Sequence, residues 1–291
     1  MTLHDGTGLI VGAHRRHYEV ELPDGTNMLC AVKGRQLTPA CGDEVDITQG
    51  ADREGVIVAI RPRRSELSRE DAYRQKTIAA NVSVVLGVVA VEPTFNPELI
   101  DRWTVASEAA GCRFVLVLNK MDLSGADAVR AGLEPYAALG YALIALSAKQ
   151  GIDPLRPLLA NERSVLVGQS GMGKSTIINA ALGMLRAKTG AISESLNAGR
   201  HTTTHTRLHR LGPTAWIIDS PGMKEFGVHQ LARSGLEHAF VEFRPYLGQC
   251  KFRDCTHDHE PQCAIRAACS EGKIAASRLA TYHRLRREIK G

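Results

Sequence analysis

The sequence predicts a multidomain protein with an N-terminal all-β barrel, a central α/β domain and a C-terminal, mainly helical domain. Short strands of alternating polar and apolar residues fill the first part of the chain, continuous apolar runs begin near Asn81, and cysteines cluster near the end. A chain of 291 residues suits two or three domains at about 100 to 200 residues each. We place the domains at 1–65, 66–235 and 236–291.

Composition excludes several classes of protein. With 44% hydrophobic and 23% charged residues, the chain is typical of globular proteins and unlike collagen-like or disordered ones. The longest apolar run, residues 82–91, is half the roughly twenty residues that a membrane helix needs, and the polar start lacks a signal-peptide core. We therefore expect a cytoplasmic protein without a membrane partner. A net charge of +5 permits an anionic partner without requiring one.

The first domain shows strand-like alternation at residues 18–22 and 28–32, with turn residues at 23–25 and 42–43. About five short strands predict a small barrel. This size favours an OB-fold, whose open face commonly binds oligonucleotides, although a purely structural β module is the alternative. The basic run at residues 61–64 marks a linker.

The central domain has apolar runs that end in polar or glycine-rich turns, as buried parallel strands do. These runs are residues 82–91, 114–118, 142–146, 164–167 and 216–218. Segments of helical length, including 97–110 and 175–185, lie between them. The pattern predicts an α/β nucleotide-binding domain.

A phosphate-binding loop follows the strand at 164–167. Residues 168–175 match the pattern G-x-x-x-x-G-K-[ST] and precede a helix, which is the context that the motif requires. Glycines let backbone N–H groups surround phosphate oxygens, and the helix start adds positive potential. Lys174 would lie between the outer phosphates, and the Ser175 hydroxyl would bind Mg²⁺. The predicted nucleotide contacts here are Gly168, Gln169, Ser170, Gly171, Met172, Gly173, Lys174, Ser175 and Thr176.

Two further loops predict that the base is guanine. Asn119, Lys120 and Asp122 close the strand at 114–118, and Ser147, Ala148 and Lys149 follow the next strand. The Asp122 carboxylate can accept from both the ring N–H and the exocyclic amine of guanine, whereas adenine presents an acceptor there. Leaving this carboxylate buried and unpaired against adenine would cost affinity on the order of 10²-fold or more. We therefore predict GTP and GDP as ligands.

These motifs resemble those of translational GTPases, but the base-reading loops precede the phosphate loop, so the chain looks circularly permuted. The whole chain is similar to the ribosome small-subunit-dependent GTPase family (RsgA/YjeQ). The matching segments are the barrel, 80–82, 95–96, 119–122, 168–175, 199–204, 219–222 and the Cys/His cluster. The resemblance implies an OB-fold barrel, a permuted P-loop GTPase domain and a zinc-binding domain. It also implies GTP hydrolysis stimulated by the small (30S) ribosomal subunit, late maturation of that subunit and contacts to its rRNA. We expect a monomer.

The resemblance extends to the residues around Mg²⁺ and the γ-phosphate. Asp219 would hold Mg²⁺ through water, and the Gly222 amide would contact the γ-phosphate. Thr203 would close over Mg²⁺ when GTP is bound, with Thr202 and Thr204 as alternatives.

The residue that orients the attacking water is less obvious. In many GTPases a glutamine follows the Asp-x-x-Gly motif, whereas this chain has Met223, which predicts slow intrinsic hydrolysis. The resemblance points to His201 as the catalytic substitute once a partner orders its loop, since a neutral imidazole can accept a water proton. A solvated histidine beside Arg200 is the alternative.

The C-terminal domain carries a candidate zinc site. Cys250, Cys255, His257 and Cys263 offer three thiolates and one imidazole, a full tetrahedral set for one structural Zn²⁺. The residues alone leave His259 and Cys269 as rival ligands, and the resemblance selects the first four. We expect the metal to hold together a segment with little apolar core.

A helix from Ile274 onward carries Arg278, Arg284, Arg286, Arg287 and Lys290. It predicts phosphate contacts to RNA, and the alternative is a solvated tail at residues 284–290.

Two other functions fit parts of the pattern. One is an RNA-binding protein whose nucleotide site is structural and whose turnover is negligible. The other is an ATP-dependent small-molecule kinase, which Asp122 opposes.

Overall fold

A computed structural model describes residues 4–14, 17–34, 37–50, 54–71, 74–189, 206–220 and 233–289. The first five strands form a closed barrel. They are β1 (His4–Ala13), β2 (Tyr18–Glu21), β3 (Asn27–Val32), β4 (Glu44–Gln49) and β5 (Glu54–Ile60). The strand order is β1-β2-β3-β5-β4, and pairing of β4 with β1 closes the barrel. Only β3 and β5 run parallel, as in an OB-fold, which confirms the predicted barrel.

Period-two alternation explains why these strands close around a core. In β3, Met28 and Cys30 are buried while Leu29 is exposed, and in β5 Ile57 is buried between exposed valines. The inward side chains form a separate apolar cluster of the barrel.

A two-stranded hairpin connects the barrel to the next part of the chain. It consists of β6 (Glu66–Asp71) and β7 (Arg74–Ala80) and forms its own sheet. Asn81 follows it in the left-handed region, at φ 56°. Its Nδ2 donates to the Gly42 carbonyl at 3.0 Å, and its Oδ1 accepts from the Arg64 amide at 2.9 Å. One side chain therefore fixes the hairpin against both the barrel and the linker.

Five parallel strands form the centre of the molecule, and they confirm the predicted α/β domain. They are β8 (Val84–Ala90), β9 (Arg113–Asn119), β10 (Ala142–Ala145), β11 (Arg163–Val167) and β13 (Trp216–Asp219), in the order β10-β9-β8-β11-β13. Every residue of β8 is buried because apolar clusters cover both faces of the sheet. The helices are α1 (Pro97–Ala109), α2 (Ala126–Ala138), α3 (Arg156–Leu159), preceded by a 3₁₀ turn (Asp153–Leu155), and α4 (Lys174–Thr189).

One strand that the apolar pattern did not predict joins the two sheets. Strand β12 (Thr206–Arg210) is antiparallel to β13 and also pairs with β1, through Gly12 and Ala13. Barrel and parallel sheet thus form one eleven-stranded sheet. Two arginines of β12 pair with glutamates of β2, Arg207 with Glu19 and Arg210 with Glu21.

The C-terminal part is mainly helical, as predicted. It contains α5 (Arg233–Leu236), 3₁₀ turns at Glu237–Ala239 and Val241–Tyr246, α6 (Ala264–Ser270) and α7 (Ala276–Glu288). The expectation of little apolar core is wrong. Phe240 stacks on Phe243 with ring centroids 4.9 Å apart, Tyr282 lies 5.3 Å from Phe243, and all three share one apolar core with Trp103 of α1. The alternative of a solvated tail at residues 284–290 is wrong for the described residues 284–289, because Leu285 and Ile289 are buried in this core.

Within the described ranges, no helix combines the length and the apolar character that a membrane crossing requires.

Candidate nucleotide site and metal centre

The predicted nucleotide-binding segments meet at one edge of the parallel sheet. Asn119 is the last residue of β9 and Asp219 is the last residue of β13, while Gly168 directly follows β11. Ser147 comes two residues after β10 ends. Because parallel strands end at the same edge, these segments surround one crevice, where ligands bind in open α/β sheets.

The phosphate loop adopts a conformation that only glycine permits. Gly168, Gly171 and Gly173 have φ angles of 153°, 81° and 92°. A β-carbon at Gly168 would overlap the Val88 carbonyl. The loop is therefore tightly packed against strand β8 and turns its backbone sharply toward the start of α4.

Lys174 lies within this loop, where its Nζ donates to the carbonyls of Gly168 at 2.7 Å and Gln169 at 2.8 Å. Ser175 and Thr176 are exposed in the first turn of α4, a helix of sixteen residues. An ammonium group beside a glycine-rich turn and a long helix start suits a phosphate chain.

Asn119 joins all three predicted loops and is only 2% exposed. Its Nδ2 donates to the Met172 carbonyl of the phosphate loop at 2.9 Å. Its Oδ1 accepts from the Ala148 amide, also at 2.9 Å. A single buried amide therefore sets the spacing between the phosphate loop and the two base-reading loops.

The carboxylate that the sequence predicts to read the base is held by a neighbouring hydroxyl. Ser147 Oγ donates to Asp122 Oδ1 at 2.5 Å, and this hydrogen bond lowers the pKa of Asp122 below its ordinary value, with Lys149 and Lys120 adding to the effect. The hydrogen bond thus favours the ionised form of Asp122 and orients its carboxylate. The expectation of a buried carboxylate is corrected here: Asp122 is exposed because its loop lies at the outer rim of the crevice.

Candidate Mg²⁺ ligands lie on neighbouring elements. Asp219 ends β13, which pairs in parallel with β11, and β11 leads through the phosphate loop to Ser175. Carboxylate and hydroxyl oxygens are the hard ligands that Mg²⁺ prefers, so these residues fit the ion. The other predicted residues, His201, Thr203 and Gly222, lie outside the described residues, as do Thr202, Thr204 and Met223.

The four predicted zinc ligands come together in the C-terminal part. The ligand atoms of Cys250, Cys255, His257 and Cys263 all lie within 4.8 Å of one another. His257 Nδ1 is 3.6 Å from Cys250 Sγ and 3.4 Å from Cys263 Sγ. Three sulfurs and one imidazole nitrogen at this spacing fit a structural zinc ion. Of the rivals, the His259 side chain is 85% exposed, and Cys269 lies on α6 outside this group.

A residue that the sequence did not point to completes the metal site. Glu237 Oε2 lies 3.1 Å from His257 Nε2, on the ring side opposite the cysteines. This hydrogen bond lowers the pKa of Glu237 below its ordinary value. It also leaves Nδ1 as the coordinating nitrogen, which is the usual role of a carboxylate behind a metal-bound histidine. Glu237 lies 20 residues before His257, so no spacing motif includes it.

A sheet edge that holds a phosphate loop together with two base-reading loops defines a P-loop GTPase, here with the base-reading loops first in the chain. A family model described as RsgA GTPase matches residues 60–229. The chain belongs to the RsgA GTPase family and is a GTP hydrolase that uses Mg²⁺, and it carries a Cys₃His cluster that fits a structural zinc ion.

Full-length relatives agree with this assignment. A protein of Nitrosomonas europaea named small ribosomal subunit biogenesis GTPase RsgA is 46% identical over 288 residues, which cover 98% of this chain and 92% of the relative. A protein of the same name from Bordetella pertussis is 46% identical and covers 98% of this chain and 97% of its own length.

Two solved structures share the fold. YjeQ from Thermotoga maritima superposes with a TM-score of 0.76 at 30% identity, covering 98% of this chain and 99% of its own. YloQ, described as a circularly permuted GTPase, superposes with a TM-score of 0.72 at 26% identity, covering 98% and 95%. The predicted permuted GTPase fold is thereby confirmed.

Proposed function

We infer that this chain hydrolyses GTP to GDP and phosphate as a factor in the biogenesis of the small ribosomal subunit. The names of its relatives support the process. The observation that carries the chemistry is Asn119, which bonds both the phosphate loop and the loop of Ala148. A triphosphate and a purine base would therefore be held at a fixed separation.

We propose the following roles for the described residues. The phosphate-loop amides and Lys174 bind the β- and γ-phosphates, and the lysine exchanges its two loop carbonyls for phosphate oxygens. Asp122, ionised and steadied by Ser147, accepts from the guanine edge. Ser175 and Asp219 would hold Mg²⁺, and the bound ion would supply positive charge that offsets phosphate charge during transfer.

The residues for the hydrolytic step are proposed from the family resemblance. His201 orients the attacking water, Thr203 closes over Mg²⁺, and the Gly222 amide contacts the γ-phosphate. Since Met223 cannot hold a water, hydrolysis is slow until a partner orders His201.

We propose that this partner is the small ribosomal subunit, bound as one monomer per subunit in the cytoplasm through rRNA contacts of the barrel (1–65) and the zinc-binding part (236–291). One predicted contact needs correction. Arg278 is only 4% exposed and pairs with Asp101 and Glu242, so its charge is not available to RNA. Arg287, which is exposed, remains accessible on the same helix.

A phosphate-release assay tests the proposal. With GTP and Mg²⁺, adding small subunits should raise turnover by at least tenfold, and excess ATP should not compete, because Asp122 reads guanine. Replacement of His201 by Ala should abolish the stimulation and leave GDP affinity unchanged. The control His238→Ala, at an exposed histidine, should behave like the wild type. Absence of stimulation in the wild type would favour an RNA-binding protein with a structural nucleotide site.

A further inference from the structure

Helix α1 of the GTPase domain is paired with the C-terminal part along its whole length. Its side chains meet partners from the 3₁₀ turn at Val241–Tyr246 and from α7. The pairs are Glu98 with Arg284, Asp101 with Arg278 and Thr281, Arg102 with Glu288, and Glu108 with Arg244. Among the described residues, the C-terminal part therefore contacts the GTPase domain chiefly through helix α1.

The centre of this contact is buried and fully paired. Arg278 Nη1 donates to Asp101 Oδ1 and to Thr104 Oγ1, each at 3.0 Å. Arg278 Nε donates to Glu242 Oε1 at 2.6 Å, and the guanidinium lies 4.7 Å from the ring centroid of Phe240. A shift of α7 against α1 would leave these buried charges without their partners. The ion pairs therefore hold the two helices in one relative position.

The N-terminal end of α1 lies next to the nucleotide site. Residues 92–96, here called the bracing loop, lead from β8 into α1. The Asn96 amide donates to Gln169 Oε1 in the phosphate loop at 3.0 Å. The Pro93 ring lies against Gly171, 3.3 Å from where a β-carbon would be. Lys120 Nζ donates to the Glu92 carbonyl at 2.6 Å.

The bracing loop is itself firmly placed. Phe95 packs against the apolar clusters on both faces of the parallel sheet. The Asn96 side chain accepts from the Glu98 amide and so caps α1. A shift of α1 would therefore move the bracing loop, and the loop would move its three contacts in the nucleotide site.

We propose that α1 transmits the placement of the zinc-bearing C-terminal part to the phosphate loop, with Gln169 as the positioning residue at the receiving end. The proposal rests on the nucleotide site assigned above. A partner that displaces the C-terminal part would change the rate of nucleotide release. The displacement would pass from Arg278 to Asp101 of α1 and from α1 to the bracing loop. Every residue of this route lies in the part of the chain that the structure describes.

Release of a fluorescent GDP analogue from the zinc-loaded protein tests the proposal. Gln169→Ala removes the contact at the receiving end, and Arg278→Lys keeps the charge while losing the fork geometry that binds two carboxylates. Each should accelerate GDP release by about threefold to tenfold, which is the change in rate expected when one or two hydrogen bonds are lost. The double variant should release GDP at the rate of the faster single variant, because both substitutions interrupt the same series of contacts and their effects should not add. Arg244→Gln removes the more exposed ion pair with Glu108, at the end of α1 away from the bracing loop, and should release GDP at the wild-type rate.

The outcomes separate the two proposals. Failure of the wild type to bind GDP would remove the proposed function itself. Two results would overturn the transmission through α1 while leaving the proposed function intact, provided that the wild type binds GDP normally. One is a double variant in which the rate increases of the two single variants multiply, and the other is a Gln169→Ala variant that releases GDP at the wild-type rate. Melting temperature and zinc content show whether each variant is folded. If Arg278→Lys does not fold, Thr281→Val takes its place in the double variant under the same criteria. It deletes the hydrogen bonds that Thr281 Oγ1 donates to Asp101 Oδ2 and accepts from Arg284 Nη2.

Discussion

Gly173 and Asn119 approach so closely that a β-carbon on Gly173 would overlap Asn119 Nδ2. The same amide group donates to the neighbouring Met172 carbonyl, and Gly173 has a φ of 92°. The phosphate loop and the base-reading loop thus meet at a point where neither backbone nor side chain has free space. This contact makes the two halves of the nucleotide site interdependent.

Gly173→Ala should therefore abolish nucleotide binding without unfolding the protein. The added methyl group forces Asn119 away from Met172 and Ala148, so both the phosphate loop and the base-reading loops lose their spacing. We expect GDP affinity to fall by at least 10²-fold in a fluorescence titration, together with a small drop in melting temperature. Gly183→Ala on α4 is the matched control. Nothing lies within 4 Å of its added β-carbon, so affinity should be unchanged and stability should rise by about 0.5–1 kcal/mol.

Asp122→Asn should redirect the base preference. An amide presents a donor to the exocyclic amine of guanine, which is also a donor, whereas the C2 carbonyl of xanthine can accept from it. GDP affinity should fall by about 10²-fold or more, and xanthosine diphosphate should bind better than to the wild type. Asp153→Asn serves as control, since this carboxylate is 73% exposed and pairs only locally with Arg156. A variant that still preferred guanine would show that Asp122 does not read the base.

The sequence was sufficient for features with a local pattern. Apolar runs predicted the five parallel strands, most clearly β8, β9 and β11, because nearly all residues of those three strands are buried. Glycine spacing predicted the phosphate loop, since left-handed φ angles at Gly168 and Gly173 need that residue. Cysteines and histidines within a short stretch of chain indicated a metal site, and the family resemblance then selected its four ligands from the rivals.

Features that depend on contacts between distant residues left no local signal. Strand β12 is polar on its exposed face, since it forms ion pairs with the barrel, and it therefore lacks an apolar run. Arg278 appeared as one of several basic residues on a helix, yet its partner Asp101 lies 177 positions earlier. Glu237 and Gln169 also left no signal in the sequence. Their partners, His257 and Asn96, are distant in the chain and come close only in the folded protein.

The buried charge cluster on α1 should make Arg278 important for stability. Arg278→Ala leaves the carboxylates of Asp101 and Glu242 buried without their cation, side chains that are 7% and 4% exposed. We expect the free energy of unfolding in urea, followed by tryptophan fluorescence, to fall by about 3–5 kcal/mol. Arg61→Ala breaks a half-exposed pair with Asp46 and should cost about 1 kcal/mol or less. Equal losses in the two variants would argue against a cluster that depends on burial.

Glu237 should control how tightly the zinc is held although it does not contact the metal. Its hydrogen bond to His257 Nε2 orients the imidazole so that Nδ1 faces the cysteines, and removal of that bond leaves the ring free to turn. Glu237→Ala should therefore lose zinc to a chromophoric chelator at a concentration about 10- to 100-fold lower than the wild type requires. Glu271→Ala is the control, because this glutamate is 57% exposed and pairs with Lys273 at the surface. Native mass spectrometry should find one zinc per chain in both variants before chelation, and equal retention in the two would mean that the imidazole is oriented by the fold alone.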